Sequence, residues 1–156
     1  MTLFLEPNKE RYQQIGKSER CMKGNRTMKK KNEMHTTNAP RCFEIWSCYL
    51  EEGNGSVQGG YRPVLVASND LNNKHSRTVN VIPFTSEDNK DKADLPVHVE
   101  IRDFERFGLR KPSIALIEQL TTVNKDNLKK RLGYIGDAFI LGKISDAMKV
   151  QFPFLI

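Results

Sequence analysis

No run of apolar residues in this chain comes near the roughly 20 that a membrane-spanning helix needs. The apolar stretch at residues 1–5 is too short for the core of a secretory signal. No membrane association is expected, and the cytoplasm is the expected compartment. Cysteine is scarce and odd in number: Cys21, Cys42 and Cys48 form no C-x-x-C pair, which argues against a thiolate zinc cluster. His35, His75 and His98 are scattered and supply no H-x-x-x-H pair. No metal site and no other cofactor is expected.

What the chain does have is basic charge, unevenly placed. Over 156 residues there are 25 Lys or Arg against 19 Asp or Glu, a formal net charge of +6. Residues 1–41 carry ten basic and four acidic side chains, the whole excess, while the remainder is balanced at fifteen of each. Residues 1–40 read as a basic N-terminal extension, disordered or loosely helical, because their apolar residues are too sparse to bury a face. Residues 41–156 read as the folded domain. An anionic partner is expected for a chain of this charge, but a domain without net charge must bind it through local geometry.

From residue 42 the texture changes. Residues 43–50, Phe-Glu-Ile-Trp-Ser-Cys-Tyr-Leu, are rich in aromatic and β-branched types and predict a strand. A Gly-rich loop follows over 51–60, and then 62–68 is the apolar run of a strand buried on both faces. Turn chemistry at 69–74 leads to a third strand over 78–84. Beyond a charged loop at 90–94, residues 95–101 alternate with odd positions apolar, as a half-buried strand does, and Pro96 puts this strand at a sheet edge or start. A strand over 113–120 and a short one at 131–135 come next. Asp137 is placed to N-cap a helix carrying Ile140, Ile144, Ala147 and Met148 on one face. Five or six short strands with a terminal helix predict a mainly β fold, a small, strongly bent barrel or sandwich.

The segment Gly59-Gly60-Tyr61-Arg62-Pro63-Val64-Leu65-Val66 resembles the G-G-x-R-P-V-L-V element of the MazF/PemK toxins. Ser68-Asn69-Asp70, Pro83-Phe84-Thr85-Ser86, Leu95-Pro96-Val97-His98-Val99-Glu100, Glu118-Gln119-Leu120-Thr121-Thr122-Val123 and Arg131-Leu132-Gly133 follow in the family's order. The resemblance runs from Cys42 to about Gly136, with the terminal helix after it. It implies an SH3-like barrel that pairs into a homodimer, the toxin of a type II toxin–antitoxin system. It implies metal-independent endoribonuclease activity on single-stranded mRNA at a short motif, which inhibits translation. The RNA would lie in a groove near the dimer interface, and a cognate antitoxin would block that groove with its disordered C-terminal segment.

In the family the matching Arg and Thr are the residues assigned to catalysis, so Arg62 and Thr85 are the expected catalytic pair. Their chemistry suits the reaction. When the ribose 2′-OH attacks its own 3′-phosphate, negative charge builds on the non-bridging oxygens, and preorganised donors stabilise it. A guanidinium meets two such oxygens at once and stays charged. Pro63 holds Arg62 to extended backbone, Gly59 and Gly60 let the chain approach a phosphate closely, and the Thr85 hydroxyl can donate to the same phosphate.

The resemblance also implies a substrate side. Relatives read S-E-Q-G-G ahead of the Arg; here Ser56 and Gln58 match and are candidates for base contacts, while Val57 replaces the Glu and removes a carboxylate from the loop. In some relatives that Glu has a part in catalysis or base recognition, so the resemblance leaves the identity of the general base open. Tyr61 is a candidate for stacking on a base, and His98 and Gln119 for RNA contact. Glu118 is a candidate to orient Arg62. The alternative is a module that binds without cutting, since the same barrel in the related CcdB-type toxins grips a topoisomerase.

Overall fold

The stretch densest in aromatic and β-branched residues builds the first hairpin. β1 (Glu44–Leu50) and β2 (Gly60–Val66) pair antiparallel, from Ile45 opposite Leu65 to Leu50 opposite Gly60. In the computed structural model, which describes residues 39–86 and 95–155, β2 is buried on both faces as its composition predicts. Val64 and Leu65 are adjacent and fully buried, yet they belong to different apolar clusters. The extension up to residue 38 and the charged loop expected at 90–94 lie outside the described residues.

The expected turn at 69–74 is instead a short helix, α1 (Asp70–His75). The Asn69 side chain accepts the Asn72 N–H at 2.8 Å, and buried Asn73 exchanges hydrogen bonds with Ser68. Polar side chains thus close the first turn, as an N-cap does. β3 (Thr78–Ser86) follows. β4 (His98–Ile101) starts later than the alternation at 95 suggests, because the Leu95 carbonyl takes the His98 N–H in a turn around Pro96. β5 (Ser113–Leu116), β6 (Thr121–Asn124) and β7 (Leu128–Tyr134) complete a seven-stranded antiparallel sheet in the order β4-β5-β3-β2-β1-β7, with β6 also on β3.

One edge of β3 serves two partners, and this bends the sheet into the expected SH3-like barrel. Thr78 to Val81 pair with Asn124 to Thr121, and Phe84 to Ser86 with Ala115 to Ser113. Between these ladders, residues 82 and 83 of β3 face residues 116–120 across the edge. The surplus is taken up by a 3₁₀ turn, Ile117–Gln119, where an unbroken strand over 113–120 was expected. An irregularity of this kind re-aims side chains: it buries Ile117 and turns Glu118 and Gln119 outward.

The larger cluster gathers Ile45, Leu65, Ile82, Phe84, Ile101 and Ile117 and is closed by Ile144 and Ala147 of α2 (Ala138–Gln151), with Ile140 and Met148 partly buried beside them. Those are the four positions the helical spacing singles out. The smaller cluster holds Cys48, Leu50, Val64, Val79, Val81 and Val123, partly covered by Trp46. Asp137 caps α2 by accepting the N–H groups of Phe139 and Ile140 at 3.0 and 3.2 Å. The Ile140 N–H, followed by the Phe139 N–H and Arg106, holds the Asp137 carboxyl below its ordinary value. A carboxylate so depressed stabilises the fold above its unfolded pKa, and that contribution fades as the pH falls through the folded one. Among the described residues, no helix is long and apolar enough to cross a membrane.

Candidate active site

Arg62 lies on β2 two residues past the hinge formed by Gly59 and Gly60. Gly60 takes a left-handed φ of 75°, which a glycine adopts without the penalty a Cβ would bring. A Cβ on Gly59 would lie 2.9 Å from the Glu52 Cα. The loop therefore folds back on itself and offers Arg62 its own acceptors. Arg62 donates Nε and Nη2 to the Gly59 carbonyl at 2.9 and 2.6 Å, and Nη1 to the Gln58 Oε1. Its burial pushes the guanidinium below its ordinary pKa, but arginine remains protonated at neutral pH. It is a fixed cation, not a proton acceptor.

Thr85 comes to the same place from β3. The β2–β3 ladder runs through Leu65 opposite Ile82 to Val64 opposite Pro83; Arg62 and Thr85 lie two residues beyond that pair on their strands, and both line one cleft. Pro63 and Pro83 bring no N–H to this end of the ladder. A cleft of about 550 Å³ opens here, lined by Gln58, Tyr61, Arg62 and Thr85 and also by Gly108, Leu109, Arg110 and Lys111. The Thr85 hydroxyl makes no hydrogen bond among the described residues and is half-buried.

The other expected residues divide. Tyr61 is 71% exposed at the rim, its ring 5.1 Å from that of Tyr49 across the β1–β2 ladder. Ser56 is exposed in the loop. Gln119 reaches the loop and uses both ends of its carboxamide there: Oε1 accepts the Gln58 N–H at 2.8 Å and Nε2 donates to the Ser56 carbonyl at 3.2 Å. It braces the segment that carries Gln58, and Gln58 in turn holds Arg62. Gln119→Ala is therefore expected to speed exchange of the Gln58 amide hydrogen by about five- to tenfold, the equivalent of one net hydrogen bond. Amide exchange followed by NMR measures this, and unchanged protection would show that the loop holds itself.

His98 stands apart from this cleft. Its side chain is 2% exposed, and Nε2 lies 3.0 Å from the Glu118 Oε1, in a depression bordered by Lys143, Asp146 and Val150 of α2. Glu118 accordingly pairs with His98, and the partners of Arg62 are Gly59 and Gln58. A depression between β4 and α2 thus takes in a histidine from the polar positions of the alternation, which the local pattern does not reveal. Residue-by-residue reasoning also missed the part of the cleft built by residues 108–111, whose signal was a basic pair ahead of a proline in a domain without net charge. Among the described residues, no three His, Cys, Asp or Glu side chains come together as a metal set.

A seven-stranded antiparallel sheet with a terminal helix is a fold found among small toxins. Residues 41–150 match the family of PemK-like, MazF-like toxins of type II toxin–antitoxin systems, and the chain belongs to that family. It is 38% identical over 108 residues to the endoribonuclease EndoA of Bacillus subtilis, covering 69% of this chain and 90% of the relative. To the endoribonuclease MazF of Staphylococcus saprophyticus it is 42% identical over 94 residues, covering 60% and 76%. The fold is shared with MazF from Deinococcus radiodurans (TM-score 0.60, 18% identity, 74% of this chain and 98% of that one). It is also shared with an endoribonuclease from a mycobacterial species solved in complex with its cognate antitoxin (TM-score 0.56, 21% identity, 74% and 96%).

Proposed function

We propose that this toxin is an endoribonuclease that cuts single-stranded mRNA, with Arg62 and Thr85 as its catalytic residues. The observation that carries the reading is their meeting from adjacent strands in one cleft. The 2′-oxygen forms a bond to the neighbouring phosphorus as the bond to the 5′-oxygen breaks. The proton leaves the 2′-OH, and the departing 5′-oxygen gains one. The products are a 2′,3′-cyclic phosphate and a 5′-hydroxyl. Arg62 neutralises charge on the non-bridging oxygens and Thr85 donates one hydrogen bond to them, so both stabilise the transition state more than the ground state.

In the resting protein the acceptors on Arg62 are neutral oxygens of its own loop. A phosphate makes charge-assisted bonds roughly twice as strong, so an incoming strand displaces Gln58 from the guanidinium. Ser56, Gln58 and Tyr61 then contact the flanking nucleotides. The protein works in the cytoplasm as a homodimer, and a cognate antitoxin silences it by occupying the RNA groove. The relatives' endoribonuclease names and the antitoxin complex of the mycobacterial relative support this reading.

The test is to incubate the purified protein with a mixed-sequence transcript, with and without EDTA, and to analyse the fragment ends. Cutting in chelator, with 5′-hydroxyl and 2′,3′-cyclic phosphate ends, is expected. Ends bearing a 5′-phosphate, or activity lost in EDTA and restored by a divalent metal, would refute the mechanism.

A further inference from the structure

The cleft that holds Arg62 carries a second guanidinium. Arg110 is exposed there and makes no hydrogen bond or ion pair among the described residues. The other arginines near this end of the barrel are engaged: Arg102 holds Glu100 at 2.7 Å, Arg106 holds Asp137 at 3.0 Å and Arg131 holds Glu44 at 2.8 Å. The two that line the cleft, Arg62 and Arg110, hold no carboxylate. In a domain without net charge, two uncompensated guanidinium groups in one cleft concentrate positive potential there.

The wall itself is rigid. Leu109 is buried in the larger cluster, and its N–H donates to the Phe104 carbonyl at 3.0 Å. Gly108 lies so close to β7 that an added Cβ would sit 2.0 Å from the Leu132 carbonyl oxygen. Pro112 follows Lys111 and restricts the backbone just past the pair. Arg110 is thus a flexible cation on a fixed base, in the same cleft as the residue assigned to the scissile phosphate.

We infer that Arg110 grips a phosphate next to the scissile one and sets the register of the RNA strand in the cleft. The inference rests on the endoribonuclease reading. Phosphate contacts fix register and orientation without reading sequence, so Arg110 governs how tightly any strand is held and leaves the preferred motif unchanged. It is a positioning residue: Arg62 and Thr85 act on the reacting phosphate, and Arg110 on its neighbour.

The experiment uses the full chain and a labelled, mixed-sequence 2′-O-methyl RNA oligonucleotide, which has no attacking hydroxyl. Fluorescence anisotropy at salt concentrations from about 50 to 200 mM gives the slope of log affinity against log salt. Losing one phosphate contact on a single strand should make that slope shallower by about 0.7. Arg110→Gln is expected to show this change and a several-fold weaker affinity for every sequence tried. On cleavable RNA the same variant should raise KM by the same factor and leave kcat nearly unchanged, and Arg110→Lys should restore most of the loss. An Arg110→Gln slope and affinity equal to those of the wild type would overturn the assignment. A wild type that binds the oligonucleotide but cuts no RNA would sink the nuclease reading instead, and the salt slope would still decide the contact.

Discussion

Arg62→Ala is expected to slow RNA cleavage by about 10²- to 10³-fold, the cost of removing one preorganised donor from a developing oxyanion, with little change in melting temperature. The two effects separate because of where the side chain sits. Its hydrogen bonds go to the Gly59 carbonyl and to Gln58, both in the loop ahead of β2. Neither apolar cluster includes Arg62, so truncation opens no cavity in the core. Arg62→Lys should recover only part of the rate, since an ammonium keeps the charge but loses the fork that meets two oxygens together. Quantitative cleavage of one transcript by the three proteins, alongside their thermal melts, decides the matter. An Arg62→Ala protein that cuts as the wild type does would remove Arg62 from catalysis, and one that has lost cleavage yet poisons cells undiminished would make the barrel a binding module.

The second large effect concerns stability. Gly133→Ala is expected to destabilise the fold by about 3 kcal/mol, the upper part of the range for overpacking, and to lower the melting temperature by roughly 10 °C. A Cβ at residue 133 would lie 2.0 Å from the Phe107 carbonyl oxygen, and one at Gly108 would meet the Leu132 carbonyl oxygen equally closely. The obstacle in both cases is backbone, which cannot swing aside as a long side chain does. Gly108→Ala should cost more, because its φ of 76° adds strain to the clash. Urea titration of both variants gives the comparison. Loss of less than about 0.5 kcal/mol in Gly133→Ala, the range of an ordinary surface change, would mean that β7 and the 104–107 turn slide apart freely.

These two substitutions also separate what local pattern reveals from what it hides. Asp137 ahead of an amphipathic run predicts the capped helix, because a helix is specified by residues within a few positions of one another. Val64 and Leu65 predict a doubly buried strand for the same reason. The 3₁₀ turn at Ile117–Gln119 was hidden, since it arises from a mismatch between two ladders on the same edge of β3 and not from its own composition. β6 was hidden because three of its four residues are exposed and polar. The site follows the same division. The strand segment around Arg62 carries its own Gly and Pro signals, and the resemblance singled out Thr85. The brace from Gln119 and the wall at 108–111 depend on which strands become neighbours, and the pairing of His98 with Glu118 depends on the same turn.

Cys48 stands directly across the β1–β2 ladder from Arg62, fully buried, with desolvation pushing its thiol up to about 11. Only about one molecule in 10⁴ carries it as the reactive thiolate at neutral pH while the hairpin is closed. With Cys21 and Cys42 replaced by serine, the rate at which an alkylating reagent captures Cys48 becomes a clock for parting of the strands behind the guanidinium. Occupancy of the neighbouring cleft, by a nucleic acid or by an inhibitory peptide, should slow that clock in proportion to how firmly the occupant keeps the hairpin shut.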